Sequence, residues 1–190
     1  MTQAITSPDL SRNSLWRIAA GGVLSGILTP LLPALLDRIH IVPGDYGIAL
    51  AAVPFAILVF VVVRRGSANP GRAALMAAIV TMIAFVCAVN AAVWTDGQAD
   101  GAAKLIRNIL AGLAGGFIGA TVMALGIALL PAGPRTIAVW LPMLITGSVA
   151  GALLALDNAL GLDLTSFLYP VWQAGVAVRL ALALRRTRSI

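Results

Sequence analysis

The run from Ile109 to Leu130, ILAGLAGGFIGATVMALGIALL, decides the fold class. It carries no charge and no proline, and it exceeds the roughly 20 helical residues needed to cross a hydrocarbon core of about 30 Å. Lipid offers nothing to bond a free amide, so a helix that satisfies its own backbone is the conformation such a run demands. Gly112, Gly116, Gly119, Met123 and Gly126 fall on one stripe at helical spacing, where another backbone can approach closely.

Five further apolar runs flank this one: Leu15 to Leu36, Tyr46 to Val63, Ala73 to Trp94, Ile137 to Leu156 and Leu164 to Leu184. The last holds Arg179, which would cost roughly 2.5 to 3.5 kcal/mol at a helix centre. Lying near the end of the run, it can snorkel to the headgroups. The connections carry turn chemistry: Pro43-Gly44-Asp45, Gly66 through Gly71, Thr95-Asp96-Gly97 and Pro131 through Pro134. Consecutive helices are therefore expected to be antiparallel neighbours. Over 190 residues the chain is 60% hydrophobic and 11% charged, far from the half-apolar, quarter-charged mixture typical of soluble domains. The expectation is one all-α integral membrane domain over residues 1–190, a bundle of six transmembrane helices.

The net charge of +6 sorts by connection. Arg12 and Arg17, then Arg64, Arg65 and Arg72, then Arg135, then Arg185, Arg186 and Arg188 occupy alternate ends of the runs. The other ends carry Asp37, Asp45, Asp96, Asp100, Asp157 and Asp163, with Arg38, Lys104 and Arg107 as their bases. This is the positive-inside pattern, so both termini are expected in the cytoplasm. It accounts for the basic charge as topology and leaves no clustered basic face for nucleic acid. The long first run, with no small-residue cleavage site, reads as a retained anchor. An Ala-, Gly-, Leu- and Arg-rich composition fits a bacterial inner membrane as the location. Trp16, Trp94, Trp140 and Tyr46 lie near run ends, where such rings anchor at the interface.

Small residues recur as Gly22 with Gly26 in the first run and Gly147 with Gly151 in the fifth. They are read chiefly as packing sites within the bundle, the other reading being a seam for a membrane-protein partner or a second copy. Prolines 30 and 33, 54, 142 and 170 are expected to interrupt the first, second, fifth and sixth helices. The matching Ala20-Gly21-Gly22 and Ala114-Gly115-Gly116 open the first and fourth helices, compatible with two inverted three-helix halves of the kind transporters use.

Polar residues at membrane depth each need a partner or water. Asn90, Thr146, Tyr169, Gln173 and Arg179 are the candidates for a translocation path. The competing reading makes Asn90 and Gln173 interhelical hydrogen bonders and leaves Asp157 solvated at the surface. The cluster Asp37, Arg38 and His40 reads as a solvated loop, and Cys87 as a small residue within the bundle. One His and one Cys at distant positions make no metal site, and no cofactor is expected. No enzyme constellation is visible: Ser25 in Gly22-Val23-Leu24-Ser25-Gly26 is misplaced for a nucleophile elbow. Two functions follow from these residues. One is a translocator of a small solute or ion, or a membrane subunit of one. The other is a non-catalytic accessory or assembly subunit.

Overall fold

The computed structural model describes residues 12–38, 47–66, 71–162 and 166–186. All regular structure among them is helical: α1 (Arg12–Arg38), α2 (Gly47–Ala51), α3 (Val53–Gly66), α4 (Gly71–Gln98), α5 (Lys104–Ala128), α6 (Ile137–Gly151), α7 (Leu154–Leu160) and α8 (Leu168–Arg186). Four stretches are long and apolar enough to cross a membrane: Ser14–Leu35, Gly71–Gln98, Lys104–Ala128 and Ile137–Leu160. Their outward faces are apolar too. Leu24, Ile83, Phe117 and Ile145 are exposed, a surface suited to lipid and rare over such an area on a soluble monomer. The turns at 43–45 and 67–70, His40, Tyr46, Asp163 and Arg188 lie outside the described residues.

The helices form a closed circuit in which each rod packs on its sequence neighbours and α1 closes on α8. Glycines set these approaches. A Cβ on Gly22 would run into the backbone at Gln173 and Ala174, and one on Gly26 into Tyr169 and Pro170, so α1 and α8 touch nearly backbone to backbone. Gly112 and Gly116 of α5 meet Gly151 and Gly147 of α6 in the same way. On its other side, α5 sets Gly115 and Gly119 against Ala88 and Ala92 of α4. These pairings make α1 antiparallel to α8, and α5 antiparallel to both α4 and α6. One end of the bundle thus gathers Arg17, Arg64, Arg65, Arg72, Arg135 and Arg185, and the other gathers Asp96, Asp100 and Asp157. Towards the arginine end the interior is filled by Val59, Val63, Met123, Ile127, Met143, Leu180 and Leu184.

The prolines interrupt helices less than expected, and only the second run breaks beside one. α1 runs through Pro30 and Pro33, and α6 through Pro142, without a break. Pro54 and Pro170 fall in the first turns of α3 and α8, where the amide they lack has no helical partner to lose. The actual interruptions are a turn at Ala52, ahead of Pro54, and a turn at residues 152–153 directly after Gly151. They split the second and fifth runs into α2 with α3 and α6 with α7. The polar segment after Trp94 is also shorter than its composition suggests, because α4 continues to Gln98 and α5 begins at Lys104. Arg107 fastens that turn. Its Nε and Nη2 bond Asp96 at 3.0 and 2.6 Å, and its Nη1 bonds Asp100 at 3.3 Å.

Candidate functional site

At the acidic end, a cavity of about 370 Å³ lies among α4, α5, the α6–α7 junction and α8. Gly112, Gly115 and Gly116 of α5 and Gly151 of α6 line its floor with backbone. Phe85, Val89 and Val93 form the α4 wall, and Leu154, Leu168 and Tyr169 the opposite one. α4 and α8 approach each other through Phe85 and Tyr169, whose ring centroids are 6.0 Å apart. Trp172 closes the inner end. Its ring meets Phe55 edge to face at 5.6 Å, which joins the cavity to the packed core. The Trp172 Nε1 is buried and has no hydrogen-bond partner among the described residues. Asp96, Asn108 and Asn158 add polar side chains to the lining, besides the Tyr169 hydroxyl and the Trp172 Nε1. The site is mainly apolar and aromatic with a few polar groups, the usual make-up of a small-molecule pocket, and its volume falls in the usual range.

Asp157 holds the shape of this end. It is 6% exposed rather than solvated at the surface, and its carboxylate accepts bonds from Ser166 Oγ (2.5 Å), Phe167 N (2.8 Å) and Leu168 N (3.2 Å). The amides at the start of α8 lack helical partners, and a negative charge there is also favoured by the helix dipole. Asp157 therefore ties α7 to the start of α8 and fixes the wall that carries Leu168 and Tyr169. Gly161, at φ 63° in the left-handed region, ends α7 and lets the chain turn back.

The five residues expected along a translocation path are not brought together. Tyr169 alone lines the cavity. Gln173, one turn further along α8, is 0% exposed and faces α1. Its Oε1 accepts from Ser25 Oγ at 2.6 Å, its Nε2 donates to Thr29 Oγ1 at 2.7 Å, and Thr29 in turn donates to Ser25 O. This polar seam flanks the Gly26 contact, with Ser25 before it on α1 and Thr29 after it. Thr146 and Arg179 do meet, Nε to Oγ1 at 3.3 Å, on an exposed strip between α6 and α8. Asn90 is exposed on α4 and donates to Val86 O of its own helix at 2.8 Å.

The glycines expected at helix contacts lie at them, and Gly112, Gly116 and Gly151 line the cavity as well. Trp16 and Trp94 are exposed near helix ends, as interface anchors should be. Trp140 is not: it is buried and donates to Pro134 O at 2.8 Å, bracing the turn between α5 and α6. Sequence reasoning set Trp172 and Asn158 beside the faces that carry Tyr169 and missed Phe85 and Asn108. One signal was present: Ala77, Thr81, Ala84 and Ala88 mark the buried side of α4 at helical spacing and so turn Asn90 outward. Among the described residues no group of acids, histidines and cysteines could hold a metal ion. Compared with protein-family models, curated proteins and solved structures, the chain matches none.

Proposed function

We propose that the chain crosses a bacterial inner membrane six times, with both termini and the arginine end in the cytoplasm, and that its cavity takes a small, mainly apolar molecule with a polar end. On this reading α2 with α3 is the second span, α6 with α7 the fifth and α8 the sixth. The alternation of arginine and acidic ends supports the orientation. The work we assign is translocation of such a solute, alone or as a membrane subunit. The cavity itself carries the proposal: it opens at one end, is sealed by Trp172, and is walled by an interrupted helix, the kind of place where transporters bind substrate. An ion is less well served, since Asp96 and Asp100 are engaged by Arg107, and Asp157 by α8. The same engagement argues against catalysis by these acids.

Two inverted three-helix halves gain support from the paired seams, Gly22 and Gly26 on α8 against Gly115 and Gly119 on α4. The interruptions depart from that symmetry, because both lie at the acidic end where inversion would separate them. The packed interior below Trp172 supports the second reading, a non-catalytic accessory subunit.

Native mass spectrometry of protein gently extracted from its membrane tests the proposal. The unmodified chain should retain a small non-protein molecule, and Val89→Trp, which fills the cavity, should lose it. Flux of that molecule into vesicles then tests translocation. If both proteins are equally bare, the reading fails.

A further inference from the structure

The outward side of α4 carries a polar residue that no contact within the bundle explains. α4 buries Ala77, Thr81 and Ala84 towards its neighbours, and Asn90 stands at the centre of the opposite, exposed face. One amide hydrogen is taken by Val86 O, while the other and the Oδ1 have no partner among the described residues. Asn90 lies four residues, or about 6 Å along the axis, inside Trp94, the interface anchor of this helix. At that depth lipid tails offer its carboxamide nothing, and polar side chains of this kind bond across helices.

The pattern around it is a heptad. Met76, Ile83, Asn90 and Gly97 recur every seven residues, with Ile79, Val86 and Val93 three residues after the first three of them. Met76, Ile79, Ile83 and Val93 are exposed. A 3.5-residue repeat keeps one seam facing a parallel partner, and a single Asn at such a position sets register and favours two strands.

We infer that this face pairs with the same face of a second copy of the chain, α4 against α4 about a two-fold axis along the membrane normal, with the two Asn90 carboxamides bonded to each other. A carboxamide is complementary to itself, offering both donor and acceptor. Two copies inserted in one orientation run parallel, so each Asn90 meets its counterpart at the same depth, as a two-fold interface requires. A different partner would need a matching polar group placed there independently. The glycine stripes that could otherwise build a close seam are already spent on contacts inside the chain. The inference rests on the membrane-spanning reading of α4 and needs no occupant in the cavity, which the seam borders through Val93.

The test uses the full chain in native membranes with Cys87→Ala. Ile83→Cys on this face should form a disulfide under mild oxidation, giving a species of twice 19.5 kDa, whereas Leu141→Cys, exposed on α6, should not. In detergent, Asn90→Leu should lower the dimerisation constant by about 3- to 20-fold with helix content unchanged, and Asn90→Gln should recover part of the loss. The inference is overturned if Ile83→Cys cross-links no better than Leu141→Cys, if its product contains another protein, or if Asn90→Leu leaves the constant unchanged. Failure of the membrane reading would show separately, as protein absent from the membrane fraction.

Discussion

Replacing Gln173 by Leu separates a structural role from a transport role for the one fully buried side-chain amide among the described residues. The substitution keeps the side chain's volume roughly constant and removes two hydrogen bonds, from Ser25 Oγ at 2.6 Å and to Thr29 Oγ1 at 2.7 Å. Neither hydroxyl is orphaned: Ser25 keeps Gly22 O at 3.0 Å and Thr29 keeps Ser25 O at 3.0 Å. The loss is thus the worth of the bonds without a further penalty for stranded donors. Interhelical hydrogen bonds in membranes average about 0.6 kcal/mol, with an upper end near 1.7. Two of them put Gln173→Leu at about 1 to 3 kcal/mol less stable. Gln173→Ala should cost more, since it also leaves a void against α1. Reversible unfolding in mixed detergent micelles reads both values, and uptake into vesicles of the molecule found bound to the chain reads the other role. A Gln173→Leu protein as stable as the parent but stripped of uptake would refute the seam and place Gln173 on the solute's route.

Other substitutions probe the remaining joints. Asp157→Ala strands the amides of Phe167 and Leu168 and should cost about 2 to 4 kcal/mol in the same unfolding assay, with Asp157→Asn losing less. Gly112→Ala and Gly116→Ala would each push a Cβ onto a carbonyl of α6 and should destabilise by about 1 to 3 kcal/mol. Gly97→Ala, which meets nothing within 4 Å, should not destabilise. Arg107→Gln should lower the melting temperature at low salt, and the difference from the parent should shrink at 1 M salt, because the pairs it breaks are solvent-accessible.

What the sequence disclosed was what each helix carries by itself. Length and hydropathy mark α1, α4, α5 and the α6–α7 rod as long apolar helices, and the Gly22, Gly112 and Gly147 spacings mark close contacts, because both are properties of single helices. Which helix meets which is a property of pairs, and there the reading failed. Tyr169 and Gln173 lie four residues apart on α8, yet one turns to Phe85 and the cavity while the other turns to Ser25. A spacing of four suggests a shared face, but between two tightly packed neighbours it is enough to divide a helix between different surroundings. Asp157 was misjudged for the same reason, since the amides it caps belong to a helix about ten residues further on. The break at 52 lies two residues before Pro54, where proline pointed, but the one at 152–153 escaped because proline was taken as the sign of a break. In the fifth rod the turn follows Gly151, which has given its side chain up to contact with Gly112.

Both breaks lie at the end of the bundle where the acids gather, and this divides the molecule mechanically. Towards the arginines the rods are continuous and their side chains interlock, so displacing any one of them means repacking Met123, Met143 and Leu184 together. At the acidic end, α2 and α7 are pieces of five and seven residues joined to longer helices by single turns. α7 is tied by Asp157 to the start of α8, so a tilt of α7 would carry that end of α8 with it. The cavity is bounded on one side by such a piece, through Leu154 and Asn158. Its width is therefore set at the joint of α7 with α8, apart from the interlocked side chains at the arginine end.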